Sequence, residues 1–250
     1  VDSFMVVVTG GVGKLAGTYH ERPALQGGYY AYWSDLPMLG RYELFISDGS
    51  AFGAAETNDG LTMVVGGWPL AIYEEKKRDH EAAYLSLFDV APAFRERVGR
   101  ARRVSRVFGG ATPSFFRKPF GPGWALVGDA GYLKDPVTAQ GIADAFRDAE
   151  LITEAIDAWR SGSRRYEDAM SVYQSTRDAS ALPMYGFTCQ LASFEPPPPE
   201  LSRLLGAMSG NQEAMDLFCR VNAGVTSPAE LFDPENVTRI LATAERHAVT

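Results

Sequence analysis

The sequence predicts a mixed α/β (α+β) fold: a strand–loop–helix unit, an antiparallel sheet ahead of it and helices behind it. Three observations predict this. Trp124-Ala125-Leu126-Val127 is a short apolar run ending at Gly128-Asp129, the pattern of an inner strand with a turn at its carboxyl end. From Gln140 onward, Ile142, Ala145, Phe146, Ala149, Ile152 and Ile156 recur at the spacing of one helix face. Ala24 to Trp68 is rich in strand-forming aromatic residues, and Asn58-Asp59-Gly60 within it is a hairpin turn signal.

Composition bounds the class. The 250 residues are 46% hydrophobic, enough core for one large domain or two small ones. A net charge of −7 argues against a nucleic-acid surface. Cys189 and Cys219 read as two thiols of a reducing compartment, and His20, His80 and His247 are too scattered for zinc, so no metal site is expected. No apolar run reaches the roughly 18 residues of a membrane span, and no signal peptide is evident. The expectation is a soluble, cytoplasmic protein without a membrane span.

Taken in order, Phe4 to Val8 suits a strand, followed by Gly10, Gly11, Gly13 and Gly17. These glycines invite a nucleotide loop, but Thr18 to Pro23 is not helical, and Gly13-Lys14 lacks both the phosphate-loop spacing and the following Ser or Thr. A strand and a turn are expected instead. Gly27–Trp33, Tyr42–Ile46, Ala51–Thr57 and Leu61–Gly66 should form an antiparallel sheet, with Ser47-Asp48-Gly49-Ser50 ending the second. Tyr29, Tyr30, Tyr32 and Trp33 are either sheet core and edge or a contact for an apolar substrate.

Glu74 to Arg103 reads as one or two helices, with Glu74–Asp79 as a solvated face and Pro92 opening the second. Arg95, Arg97, Arg100, Arg102, Arg103 and Arg106 form a basic run, either ordinary exposed arginines or a site for pyridine-nucleotide phosphates. Val104–Ala111 and Ser114–Phe120 look like strands. Ser163–Ala181 is a further helix with Tyr166, Met170, Tyr173 and Thr176 on one face, which Leu182-Pro183 should end or kink. Pro196 to Pro199 reads as a stiff connector and Glu200 to Val221 as helix. Ser227-Pro228 looks like a helix start, and the tail from Asn236 like an amphipathic helix around Val237, Ile240 and Leu241.

Gly128-Asp129-Ala130, Pro136, Gly141 and Asp148-Ala149 stand in an order that resembles the second flavin-binding motif of the FAD-dependent aromatic hydroxylases, the single-component flavoprotein monooxygenases. The resemblance implies a truncated FAD-binding Rossmann-like domain with an antiparallel substrate-domain sheet and C-terminal helices. It divides the chain into a mainly β substrate region (1–120), the FAD-binding strand–loop–helix (121–162) and a helical region (163–250). It implies FAD as cofactor, NAD(P)H as electron donor, and hydroxylation of a small aromatic or apolar molecule with O2.

The implied cofactor residues are Gly128, Asp129, Pro136, Gln140, Gly141, Ile142 and Ala143. Asp129 would bind the ribityl chain and Pro136 pack by the isoalloxazine. The Gln140-Gly141-Ile142 backbone would face the pyrimidine edge, with the helix N-terminus stabilising negative charge there. No residue is assigned a catalytic role; Tyr132 and Lys134 stand on the loop beside the ring, either touching substrate or flavin or as surface polar residues.

The pattern departs from the family at Gly131 and Tyr132, where a His often stands, and at Ala139-Gln140-Gly141, where Gly-x-Gly is usual. Thr9-Gly10-Gly11-Val12 stands in place of the family's Asp-Gly motif, and the ADP-binding fingerprint is not present. The resemblance therefore covers roughly Thr18 to the end, and the expectation is that the sequence is the C-terminal part of a longer enzyme. A flavin-dependent halogenase, a prenyl-chain reductase, and an inactive remnant or binding module are the competing readings. Trp124–Val127, without the strands that would flank it, is expected to leave unpaired edges, lowering stability or driving self-association.

Overall fold

The computed structural model describes residues 6–9, 18–47, 49–196 and 198–248. Gly10, Gly11, Gly13, Lys14 and Gly17, the start of the expected Phe4–Val8 strand, Asp48 and Pro197 lie outside the described residues. In chain order the elements are β1 (Val6–Thr9), β2 (Thr18–Arg22), β3 (Gln26–Ser34), β4 (Glu43–Ser47), β5 (Ser50–Glu56), β6 (Thr62–Pro69), α1 (Leu70–Lys76), α2 (His80–Ser86) and α3 (Pro92–Arg100). Then come β7 (Arg102–Arg103), β8 (Phe108–Ala111), β9 (Ser114–Arg117), β10 (Phe120–Gly121), β11 (Trp124–Val127), β12 (Tyr132–Leu133), α4 (Gly141–Arg160) and α5 (Tyr166–Ala192). The chain continues with α6 (Pro199–Met208), α7 (Gln212–Asn222), α8 (Pro228–Leu231) and α9 (Pro234–Ala248). Two compact units result: Val1–Glu21 with Ser114–Leu191 and Glu195–Thr250, and Arg22–Pro113 with Ala192–Phe194.

The unit around Arg22–Pro113 is built on an antiparallel sheet of order β4-β5-β6-β3-β7, with β8 also on β3. Asn58-Asp59-Gly60 makes the expected turn between β5 and β6, with Asp59 and Gly60 both at positive φ. Strand alternation divides the aromatic run of β3. Tyr29 and Trp33 enter the core, while Tyr30 and Tyr32 lie half-buried on the opposite face, where Tyr30 stacks on Phe108.

On the core face, Phe52 of β5 meets Phe45, Phe88 and Phe94, and Tyr84 and Leu87 fill in from the helices. Gly66 is glycine for a steric reason: a Cβ there would lie 2.4 Å from that of Phe52. The buried polar tips are paired, Trp33 Nε1 donating to Tyr84 Oη (2.8 Å) and Tyr84 Oη to Val64 O (3.2 Å).

The helical segment starts earlier than the sequence suggests, at Leu70, and Pro92 sits in the first turn of α3 as expected. The basic run does not collect as a phosphate site. Arg95 pairs with Asp89, Arg97 with Glu43, Arg100 with Glu96 and Arg103 with Glu81. Arg106 lies over the Phe108 ring.

In the other unit, β11 is not an edge. β1 pairs with it in parallel, Val6 opposite Trp124 through Thr9 opposite Val127, and β10 pairs on its other side. The expectation of unpaired edges at Trp124–Val127 is overturned, because the N-terminal strand supplies the neighbour. A second small sheet has the order β12-β9-β2.

Of the two outcomes expected at Leu182-Pro183, an end or a kink, the end does not occur: α5 continues through Pro183 to Ala192. Met170 and Tyr173 are buried before the proline and Met184 and Phe187 after it, and that continuous packing outweighs the roughly 3 kcal/mol a proline costs a helix interior. The stretch Glu200–Val221 is two helices. Gly210, at positive φ, breaks them, and Asn211 caps the second by accepting from Ala214 N (3.2 Å). The α6–α9 helices enclose their own apolar cluster around Leu204, Met208, Val221 and Ile240. No helix among the described residues is long and apolar enough to cross a membrane.

Candidate functional site

The carboxyl end of β11 turns at Gly128, whose φ of +54° belongs to the left-handed region that favours glycine. The turn leaves Asp129 exposed. Pro136 opens a single helical turn capped by Asp135, whose carboxylate accepts from Val137 N (2.9 Å). Ala139 then takes φ +52°, so the position where the resembling motif carries its first glycine keeps a left-handed backbone although an alanine stands there. α4 starts at Gly141. A Cβ at Gly141 would lie 3.6 Å from Asp129 Oδ1, so the carboxylate and the open first turn of the helix are neighbours.

Of the residues the motif singles out, Asp129, Pro136, Gly141, Ile142 and Ala143 are exposed, and Gly128 and Gln140 are buried. Gln140 turns inward. Its amide donates to Thr138 O (3.2 Å) and to Asn222 O at the end of α7, tying the start of α4 to the C-terminal helices. Its contribution to any ligand is therefore through backbone and position.

The apolar face expected for α4 is inverted in its first two turns. Ile142 (77% exposed) and Phe146 (74%) point to solvent, and the inward positions are Asp144 and Asp148. Only from Ile152 and Ala155 onward does the helix bury apolar side chains. Tyr132 and Lys134 are corrected as well. Neither is polar surface: Lys134 is 7% exposed and ion-paired with Asp144, and Tyr132 is stacked on Phe116 with ring centroids 4.6 Å apart.

These residues form one buried polar network. Asp144 also pairs with Arg147 (2.9 Å), which reaches the Tyr132 hydroxyl. Asp148, with no exposed surface, accepts from Gly128 N (3.0 Å), and its second oxygen is 3.7 Å from the Arg147 guanidinium. Burial raises the Asp148 carboxyl to about 6, against the lowering effects of the Gly128 N–H and Arg147. Burial lowers the Lys134 ammonium, and the Asp144 carboxylate opposes that shift. From α5, Arg177 pairs with Asp178 (2.6 Å), donates to Arg117 O (3.1 Å) and lies over the Phe116 and Tyr132 rings.

Sequence reasoning missed this network. Asp144 and Arg147 at i,i+3 and Asp144 and Asp148 at i,i+4 were readable as one helix face, but Lys134 is brought to them by the loop.

The fold these elements define is that of the FAD-dependent flavoprotein halogenases and monooxygenases. Matching solved structures include the myxobacterial chondrochloren halogenase CndH, with a TM-score of 0.68 at 20% identity over 96% of this chain and 61% of that one. They also include PqsL of Pseudomonas aeruginosa, a probable FAD-dependent monooxygenase, with a TM-score of 0.61 at 20% identity over 75% of this chain and 55% of that one.

In sequence, the chain is similar to the 1H-pyrrole-2-carbonyl-[peptidyl-carrier protein] brominase of Pseudoalteromonas luteoviolacea (strain 2ta16), 30% identical over 103 residues. That match covers 38% of this chain and 25% of the brominase. No family model matches the chain. It spans about 61% of the halogenase structure and a quarter of the brominase.

Proposed function

We propose that this chain carries the isoalloxazine-side half of an FAD site, in an oxidoreductase that oxidises a small aromatic or otherwise apolar molecule with O2. The observation that carries the reading is the pairing of the exposed Asp129 carboxylate with the open first turn of α4 at Gly141. The residues fit FAD. A carboxylate suits the hydroxyls of a ribityl chain. The first-turn N–H groups of Gly141, Ile142 and Ala143 have no partner within the helix and, with the helix dipole, suit an electron-rich carbonyl edge. Gly141 adds no side chain between the two.

FAD, when bound, supplies the redox chemistry that activates O2. The chain's own part is to hold and orient. Asp129 binds and orients the ribityl chain. Pro136, exposed on the loop, would stand beside the ring when FAD is bound. The α4 N-terminus holds negative charge in place. NAD(P)H is the electron donor in this reading.

Halogenation is the second reading, and a specific observation favours it: a curated relative is a brominase and the matching structures include several halogenases. The arrangement at Asp129 and Gly141 serves both outcomes.

The test is an FAD titration followed by flavin absorbance and fluorescence quenching, with Asp129→Ala beside the wild type. Saturable binding weakened about tenfold or more in the variant is expected. Equal affinity in both proteins would remove Asp129 from the site. Oxygen uptake with NAD(P)H, phenols or pyrroles, and with or without bromide, then separates hydroxylation from halogenation by product mass.

A further inference from the structure

Asp148, in the unit around β11 and α4, is a costly side chain to bury. It is a carboxylate without exposed surface, and its Oδ1 has no hydrogen-bond partner among the described residues. Such a group weakens a fold more often than it strengthens one. Two residues earlier on the same helix, Phe146 is left in solvent. Packing alone would have exchanged the two.

We propose that Asp148 is a positioning residue for the cofactor cradle: its carboxylate, from the second turn of α4, holds the Gly128 N–H and so sets the direction in which Asp129 leaves β11. The inference rests on the FAD reading above.

The geometry is specific. Asp148 Oδ2 accepts from Gly128 N at 3.0 Å, across 20 residues of chain. Gly128 is held at φ +54° and pressed against the helix, since a Cβ there would lie 3.0 Å from the Ala145 Cβ. Gly128 and Asp129 are consecutive, so a rotation at Gly128 swings the Asp129 carboxylate away from Gly141. The far side of the loop is tied to the same face of α4 through Lys134 and Asp144, and through Tyr132 and Arg147. α4 therefore holds both sides of the loop whose exposed surface is the candidate site.

Protonation provides an independent handle. The groups around Asp148 are Arg147 and Asp144 on its own helix, Tyr132 and Lys134 from the loop, and Tyr173 and Arg177 from α5. With its pKa raised to about 6, Asp148 passes from acid to carboxylate between about pH 5 and 7. The ionised form is the stronger acceptor for the Gly128 N–H. Asparagine at 148 keeps an acceptor and imitates the neutral acid; alanine removes the acceptor.

The experiment compares wild type, Asp148→Asn and Asp148→Ala as full chains. FAD affinity is measured by fluorescence quenching from pH 5 to 8, and amide hydrogen exchange at Gly128 by NMR without FAD. We expect wild-type affinity to rise several-fold through pH 6. Asp148→Asn should be flat with pH and several-fold weaker at pH 8, and Asp148→Ala at least tenfold weaker. Gly128 exchange should quicken in the order wild type, Asn, Ala. We also expect Asp148→Asn to melt higher than wild type at pH 8 while binding FAD less tightly, a combination that a merely structural carboxylate does not produce.

Wild type that fails to take up FAD sinks the cofactor reading, whatever Asp148 does. FAD binding equal in wild type and Asp148→Asn across the pH range, with unchanged Gly128 exchange, sinks the positioning role alone. Should Asp148→Ala not fold, the Asn variant and the exchange rates decide.

Discussion

The two units differ in what they bury: both have apolar clusters, and one of them also buries charge. In the sheet unit the middle is aromatic and dry: Phe52, Phe88 and Phe94 meet edge and face, and the polar tips are paired, Trp33 donating to Tyr84 and Tyr84 to Val64 O. In the unit around β11 and α4, beside the apolar cluster at Ile152 and Ala155, the chain buries Lys134, Asp144 and Asp148 with the half-buried Arg147, while Ile142 and Phe146 of the same helix turn outward. The first arrangement follows from area burial at about 25 cal/mol per Å². The second runs against it, since desolvating charges offsets much of their attraction. The difference teaches where the chain is built for stability and where for holding a loop in one shape.

The comparison is broken most severely from the aromatic side. Phe52→Ala should cost about 3–5 kcal/mol, because a 1% exposed ring leaves a cavity among three others; urea unfolding reads it as a lower midpoint. Lys134→Ala should cost about 3 kcal/mol by leaving Asp144 buried with Arg147 as its remaining partner. Replacing both partners, Lys134→Met with Asp144→Leu, should recover most of that loss. If the double variant is as unstable as the single one, the charges stabilise the unit and the contrast drawn above is wrong.

Asp148→Asn sharpens the contrast through its sign. A carboxyl raised from 3.8 to about 6 contributes stability that is fully present below pH about 3.8 and lost as pH rises through 6. Removing the ionisable group should therefore stabilise the chain at pH 8 by up to about 3 kcal/mol, with little change at pH 4. Thermal melts at the two pH values check it. The smallest effect is expected for Ile142→Ser with Phe146→Ser, within about 0.5 kcal/mol of wild type, since both side chains already face solvent. A loss of several kcal/mol would mean that something covers this face.

Periodicity made much of the fold legible. The β5–β6 hairpin, the antiparallel sheet, the strand at Trp124–Val127 and the long helix after Gln140 follow from local pattern and turn chemistry, which need only near neighbours. The spacing of Gly128-Asp129, Pro136 and Gly141 likewise marked the loop that forms the candidate site. Where the reading failed, a distant partner overruled local preference. Packing on both sides carries α5 on past Pro183, and β1 pairs an edge of β11 that was expected to stay open.

The inversion of α4 has the same cause. Apolar spacing selects a face but not which face turns inward. Here Gly128, Lys134 and Tyr132 came to the side occupied by Asp144, Arg147 and Asp148, and hydrogen bonds to buried groups are costly to leave unmade. The sequence by itself determined the elements and the position of the loop. Only the tertiary structure decided that the helix behind the loop faces it with charge, because that choice depends on contacts between residues that are far apart along the chain and adjacent in space.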